Sequence, residues 1–202
     1  MFATSRHRPG YTLIELAIVV TALSIFSAAA ITYMSPSVVE RLKSVARAIA
    51  DDMSYARSLA VANNTLYRFT FDRTNNLYYL EHTGTTSAFN TLPPSAIRSA
   101  TDTATRQTIK LDNLLGGSGA VRLQAIVSSA MSGLSQLEFR TFGETTATTA
   151  TTIWLASGTG KSLRYLSLTI NPTTGLTTIG DITASPPTTV VNGIGGTVTS
   201  GS

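Results

Sequence analysis

From Leu16 to Val39 the chain carries no charged residue, and a single acid, Glu15, stands at the head of that run. About 20 apolar residues suffice to cross a bilayer as a helix, and residues 13–34 supply them. The sequence therefore predicts a membrane-length helix close to the N-terminus. Arg6 and Arg8 precede it and a long polar region follows, so the positive-inside bias places the residues before Tyr11 in the cytoplasm and the bulk of the chain outside. A secretory signal has a shorter apolar core and a small-residue cleavage site beyond it. Ala28-Ala29-Ala30 mimics such a site, but Glu15 sits in the wrong place for one.

A charged carboxylate in lipid costs about 2.5–3.5 kcal/mol even on lenient insertion scales. Glu15 therefore stays near the headgroups or finds a partner. If the peptide bond after Gly10 is cut, Tyr11 gains a free α-amine that can pair with a carboxylate one helical turn along, in the same chain or in a neighbour.

The run Gly10-Tyr11-Thr12-Leu13-Ile14-Glu15 resembles the class III signal of type IV pilins and type II secretion pseudopilins. In those families a prepilin peptidase cuts after the Gly and methylates the new N-terminus. The resemblance implies processing at Gly10/Tyr11, N-methylation of Tyr11, and an assembly role for Glu15; Tyr11 stands where the family more usually has Phe. It also implies storage as a single-pass protein of the bacterial inner membrane, with the globular part periplasmic. The partners it implies are membrane lipid, an inner-membrane assembly platform and other pilin or pseudopilin subunits in a filament.

Length and composition fit one anchored domain, and the absence of cysteine excludes a disulfide framework or a cysteine-metal site. The net charge of +4 falls to +2 once Arg6 and Arg8 leave with a leader, too little to argue for nucleic acid on electrostatics alone.

After Pro36, where a kink is expected, Val38, Leu42, Val45, Ile49, Met53, Ala56 and Ala60 recur at helical spacing. Arg41, Lys43, Arg47, Asp51 and Asp52 fall largely off this stripe, so the helix is expected to lay its apolar side on a sheet. From Leu66 the period changes to two. Tyr67, Phe69 and Phe71 alternate with polar residues, and Arg73-Thr74-Asn75-Asn76 supplies a turn before a partner strand reaching Glu81. The aromatic row reads as core rather than as a base-stacking platform. Further strands are expected at 108–111, 121–127, 137–142, 152–156, 163–170 and 176–179, with Asn171-Pro172-Thr173-Thr174-Gly175 turning between the last two. Residues 83–106 and 184–202 lack a core-forming pattern and read as loosely held.

Ala56-Arg57-Ser58-Leu59-Ala60 with the strand from Tyr67 to Asp72 is similar to the helix end and first strand of GspH/FimT-type minor pseudopilins. Leu137-Glu138-Phe139-Arg140-Thr141-Phe142-Gly143 and the Thr174-Gly175 turn are similar to that group's C-terminal half. The resulting expectation is an α+β, pilin-like protein in which a long N-terminal helix, membrane-spanning in its first half, packs on antiparallel sheet. Its parts are a leader (1–10), an assembly helix (11–35), an amphipathic helix (36–64), a β-rich globular domain (65–183) and a tail (184–202). The implied function is that of a minor, non-enzymatic subunit of a type II secretion pseudopilus or a type IV pilus, without a cofactor. The alternative is a FimT-like pilin that binds DNA, for which Arg68, Arg73, Arg98, Arg106, Arg122 and Arg140 would have to converge, since no basic residue follows Arg164.

Enzymatic readings are weak. Gly158-Thr159-Gly160-Lys161-Ser162 resembles the end of a phosphate-binding loop, but Leu155 stands where its first Gly belongs and an alternating, strand-like run follows instead of a helix. His82, the one histidine beyond the leader, is expected to be an exposed polar residue at a hairpin end. Asp102, Asp112 and Asp181 lack the ligand spacing of a Ca²⁺ loop.

Overall fold

The computed structural model describes residues 12–33, 37–93, 102–114, 121–128, 131–132 and 135–185. Gly10, Tyr11, the kink expected at Pro36, the middle of the 83–106 stretch and most of the 184–202 tail lie outside the described residues. The chain divides into two units, 1–37 and 38–202.

The first unit contains helix α1, Leu13–Tyr33. Its side chains, described from Leu13 to Ser27, are all exposed, including Leu16, Val19, Leu23 and Phe26. The hydroxyls along it are turned back onto the helix. Thr21 Oγ1 donates to the Ala17 carbonyl at 3.0 Å, Ser24 Oγ to Val20 at 2.8 Å and Ser27 Oγ to Leu23 at 2.8 Å. This self-satisfaction lets polar side chains sit on an apolar helix without seeking other partners. Among the described residues no helix is long and apolar enough to cross a membrane.

The second unit is an α+β structure in which one helix packs on two antiparallel sheets. Helix α2, Val38–Ala62, buries Leu42, Val45, Ala46, Ile49, Met53, Ala56 and Ala60, the stripe read from the sequence with Ala46 added and Val38 only half-buried. The strands are β1 (Tyr67–Asp72), β2 (Leu77–His82), β3 (Arg106–Lys110), β4 (Val121–Ser128), β5 (Met131–Ser132), β6 (Gln136–Phe139), β7 (Thr151–Ser157), β8 (Arg164–Ile170) and β9 (Thr177–Thr183). One sheet has the order β3-β2-β1-β6 and the other β5-β4-β7-β8-β9. They meet α2 through β1 and β6 of the first sheet and β4, β7, β8 and β9 of the second.

The alternation in β1 works as expected. Tyr67, Phe69 and Phe71 are at most 3% exposed, and Phe69 stacks on Tyr78 of β2 with ring centroids 5.2 Å apart. Burying each such side chain contributes about 1.5–3 kcal/mol. With Phe139, Ile153, Leu166 and Leu168 they close one core against α2.

Three expectations need correction. The strand expected at 137–142 ends at Phe139, because Gly143 takes a φ of +85° and Arg140–Glu144 closes into a turn instead. The last strand begins one residue later than expected and runs on to Thr183. The stretch 83–106 is not loosely held where it is described. Ser87–Asn90 forms a 3₁₀ turn, Leu92 is buried, and the Leu92 N–H donates to the Ala104 carbonyl at 2.8 Å, which ties the two ends of the excursion together.

Candidate assembly site

Glu15 is placed by local chain chemistry. The Thr12 carbonyl accepts the first helical bond, from Leu16 N–H at 3.2 Å, so Thr12 is the N-cap of α1. Its Oγ1 accepts from the Glu15 N–H at 3.3 Å, and Glu15 Oε2 accepts from the Thr12 N–H and the Thr12 hydroxyl, each at 3.1 Å. This is a capping box, in which residues three apart satisfy each other's orphan donors. The sequence reading missed it, although Thr-x-x-Glu ahead of an apolar run is its signature. The cap occupies one carboxylate oxygen. Glu15 Oε1 makes no hydrogen bond or ion pair among the described residues, so a carboxylate at the head of an exposed apolar helix retains an open oxygen for a cation.

In the second unit, polar side chains tie the helix to the sheets. Arg57 of α2 donates through Nε to the Thr174 carbonyl at 2.8 Å and to the Gly143 carbonyl at 3.3 Å, joining two turns far apart in sequence. Those turns touch closely enough that a Cβ on Gly175, whose φ is +65°, would lie 2.0 Å from the Gly143 carbonyl oxygen. Phe142 is carried on the first turn and is 87% exposed, while Leu176 follows the second at 55%.

Asp52 corrects the expectation that it faces away from the sheet: it is half-buried, and the buried Tyr78 hydroxyl donates to its Oδ2 at 2.5 Å. Desolvation raises the Asp52 carboxyl above its ordinary 3.8, partly opposed by the Tyr78 hydrogen bond and reinforced by the nearby Asp51 charge. Burial, with the Asp52 charge, pushes the Tyr78 phenol well above 10.

Across the outer side of the four-stranded sheet runs one row of alternating charge, with one residue per strand. Glu138 meets Arg68 at 3.1 Å, Arg68 meets Glu81 at 4.0 Å, and Glu81 meets Arg106 at 3.3 Å. Arg106 also lies over the Tyr79 ring, 4.1 Å from its centroid. These arginines are therefore neutralised. Arg73 and Arg122 instead line a different cleft, Arg140 is exposed on its turn, and Arg98 lies outside the described residues. Among the described arginines, Arg68 and Arg106 are thus held in the charge row while Arg73 and Arg122 share a cleft.

The remaining candidates take structural places. His82 is half-buried rather than exposed. Its Nε2 is 2.8 Å from Thr65 Oγ1 and its Nδ1 is 2.7 Å from Asn90 Oδ1, and the ring meets Tyr67 edge-on. No acid orients it. Gly158 to Ser162 connects β7 to β8 with Gly158 and Gly160 at positive φ, and a strand follows, so the phosphate-loop geometry is absent. Asp102 Oδ1 accepts from the Thr108 N–H at 2.6 Å, and Asp112 Oδ1 accepts from Asn76 at 2.8 Å. Among the described residues no group of three His, Cys, Asp or Glu could hold a metal ion.

No family model and no curated protein matches the sequence. The fold is similar to minor pilins of known structure. Two crystal structures of the type IV minor pilin FimU of Pseudomonas aeruginosa align with TM-scores of 0.43 and 0.44 at 16% and 15% identity. Each covers 74% of this chain, and 99% and 94% of FimU respectively. The minor pseudopilin EpsH from the type 2 secretion system of Vibrio cholerae aligns with a TM-score of 0.46 at 11% identity, covering 69% of this chain and 95% of EpsH. At these identities and TM-scores the likeness is one of outline, and the functional reading rests on the chain's own residues.

Proposed function

We propose that the chain is a minor subunit of a pilin-type filament, a type II secretion pseudopilus or a type IV pilus, held in the inner membrane before assembly. In this reading a prepilin peptidase removes residues 1–10, Tyr11 becomes the N-methylated terminus, and the apolar α1 passes from lipid into a bundle of equivalent helices. Other pilin or pseudopilin subunits and the inner-membrane assembly platform are its partners.

The observation that carries the reading is the divided role of Glu15. One oxygen caps α1 through Thr12, and the other has no partner among the described residues. A carboxylate so placed, at the start of a helix whose described side chains are otherwise apolar or self-bonded, suits the α-amine that cleavage after Gly10 would create, in its own chain or a neighbour's. The apolar, exposed surface of α1 supports burial in lipid first and among subunits later. The α2-on-sheet unit supports a domain displayed outside the membrane.

Two substitutions separate the charge of Glu15 from its cap. Glu15→Gln keeps a carbonyl oxygen for the Thr12 N–H and loses the charge, whereas Glu15→Ala loses both. The expected outcome is that both variants are cleaved normally and both are depleted from sheared filaments. A Gln variant found in filaments at the wild-type level would refute pairing with the amine and leave Glu15 a helix cap.

A further inference from the structure

Arg73 and Arg122 reach one cleft from two different sheets. Arg73 belongs to the turn between β1 and β2, Arg122 to β4, and the cleft they share encloses about 570 Å³. Neither arginine makes an ion pair or hydrogen bond among the described residues, in contrast to Arg68 and Arg106, each held by a glutamate. The side chains of Thr74 and Gln124 add further donors to the lining. The single acid there, Asp112, has one oxygen engaged by Asn76.

The pairing of the two elements is rigid. Asn76 sits at a φ of +52°, a conformation that asparagine tolerates better than most residues. Its Nδ2 donates to Asp112 at 2.8 Å and to the Val121 carbonyl at 2.9 Å, its Oδ1 accepts from the Leu123 N–H at 2.9 Å, and its own carbonyl accepts from the Leu111 N–H at 3.0 Å. The turn bearing Arg73 is thus pinned to the strand bearing Arg122. Two guanidinium groups sharing a cleft repel one another, and an oxyanion placed between them relieves that repulsion while accepting charge-assisted, forked hydrogen bonds.

We infer that this cleft is a docking site for the carboxylates of an acidic segment on a protein partner. The charge at the cleft itself favours that ligand over a nucleic acid. A polyanion is held by a track of several unpaired cations, whereas the lining of this cleft holds two, Arg73 and Arg122, beside the acid Asp112, and the neighbouring sheet's Arg68 and Arg106 are neutralised by glutamates. Two arginines in a preorganised cleft suit one or two anionic groups, and the volume falls within the range of pockets that take ligands of that size. The site does not depend on cleavage after Gly10 or on Glu15.

The test uses the full chain in detergent micelles with ¹⁵N-labelled arginine, following the Nε–H signals during titration with a hexaglutamate peptide, inorganic phosphate or a single-stranded oligonucleotide. The peptide is expected to shift the Arg73 and Arg122 signals saturably, to leave the Arg57 signal in place, and to bind more weakly as salt rises. Arg73→Gln and Arg122→Gln are each expected to weaken binding about tenfold, the loss of one charge-assisted contact. Both side chains are exposed, so the variants keep the core. No saturable shift at millimolar peptide, or an unchanged response in the double variant, would overturn the site. Phosphate binding as tightly as the peptide, or tighter binding of the oligonucleotide, would overturn the protein partner.

Discussion

Arg57→Ala removes one side chain and with it the link between α2 and two turns. Two bonds set the size of the loss. The Thr174 contact at 2.8 Å is a good charge-assisted hydrogen bond, and the Gly143 contact at 3.3 Å is a weaker share of the same N–H. A hydrogen bond to a charged group contributes about 1.5–3 kcal/mol. Thr174 is exposed, so water can replace the arginine there; Gly143 is buried, so its carbonyl has less recourse. The expected loss is therefore about 2 kcal/mol, near the lower end of that range. In a unit of this size each kcal/mol shifts Tm by about 2–4 °C, which gives a fall of about 4–8 °C. Thermal unfolding of the full chain in detergent reads the total. Amide exchange reads the location, because the Thr145 N–H, bonded to the Pro172 carbonyl at 2.8 Å, lies between the two turns and should lose protection before β7 does. Arg57→Lys keeps the charge but not the planar fork, and should recover about half of the loss. An Ala variant with unchanged Tm and unchanged Thr145 protection would refute the latch.

Gly175→Ala should cost at least about 2 kcal/mol in denaturant unfolding, because a left-handed residue acquires a Cβ directed at the Gly143 carbonyl oxygen. Phe69→Ala should cost about 3–5 kcal/mol by the same measurement, since the ring is 1% exposed and stacks on Tyr78. Asp52 has its folded pKa raised, so the unfolded chain ionises first as pH climbs past 3.8 and Asp52 then subtracts from stability. Asp52→Asn keeps an acceptor for the Tyr78 hydroxyl and removes the buried charge. Its denaturation midpoint should therefore fall less than the parent's across that pH window, and an identical pH profile would contradict the burial argument.

Features carried by near neighbours in the chain were legible in the sequence. The stripe from Leu42 to Ala60, the alternation Tyr67-Phe69-Phe71 and the Asn171–Gly175 turn each follow a local period or a local backbone demand, and the structure shows them much as read. The Thr12–Glu15 box is equally local, since the Thr-x-x-Glu spacing ahead of an apolar run is its whole signature. Partnerships across the chain were not legible. A period of two marks a strand but not its neighbour, so nothing in Gln136 to Phe139 announces that it pairs with β1 while β7 to β9 form another sheet. Asp52 read as solvent-facing because its partner, Tyr78, comes from a strand. His82 read as exposed because Asn90, which holds it, lies in a stretch without hydrophobic pattern. Arg73 and Arg122 could be brought together only by knowing that Asn76 joins one sheet to the other.

Whether the chain is a processed filament subunit is read from its N-terminus. The full chain would be expressed with and without a prepilin peptidase and the terminal peptide measured by mass spectrometry. The expected product is an N-methylated Tyr11 that appears only with the peptidase. An intact leader in its presence, or a terminus created by cleavage after Ala30, would contradict it.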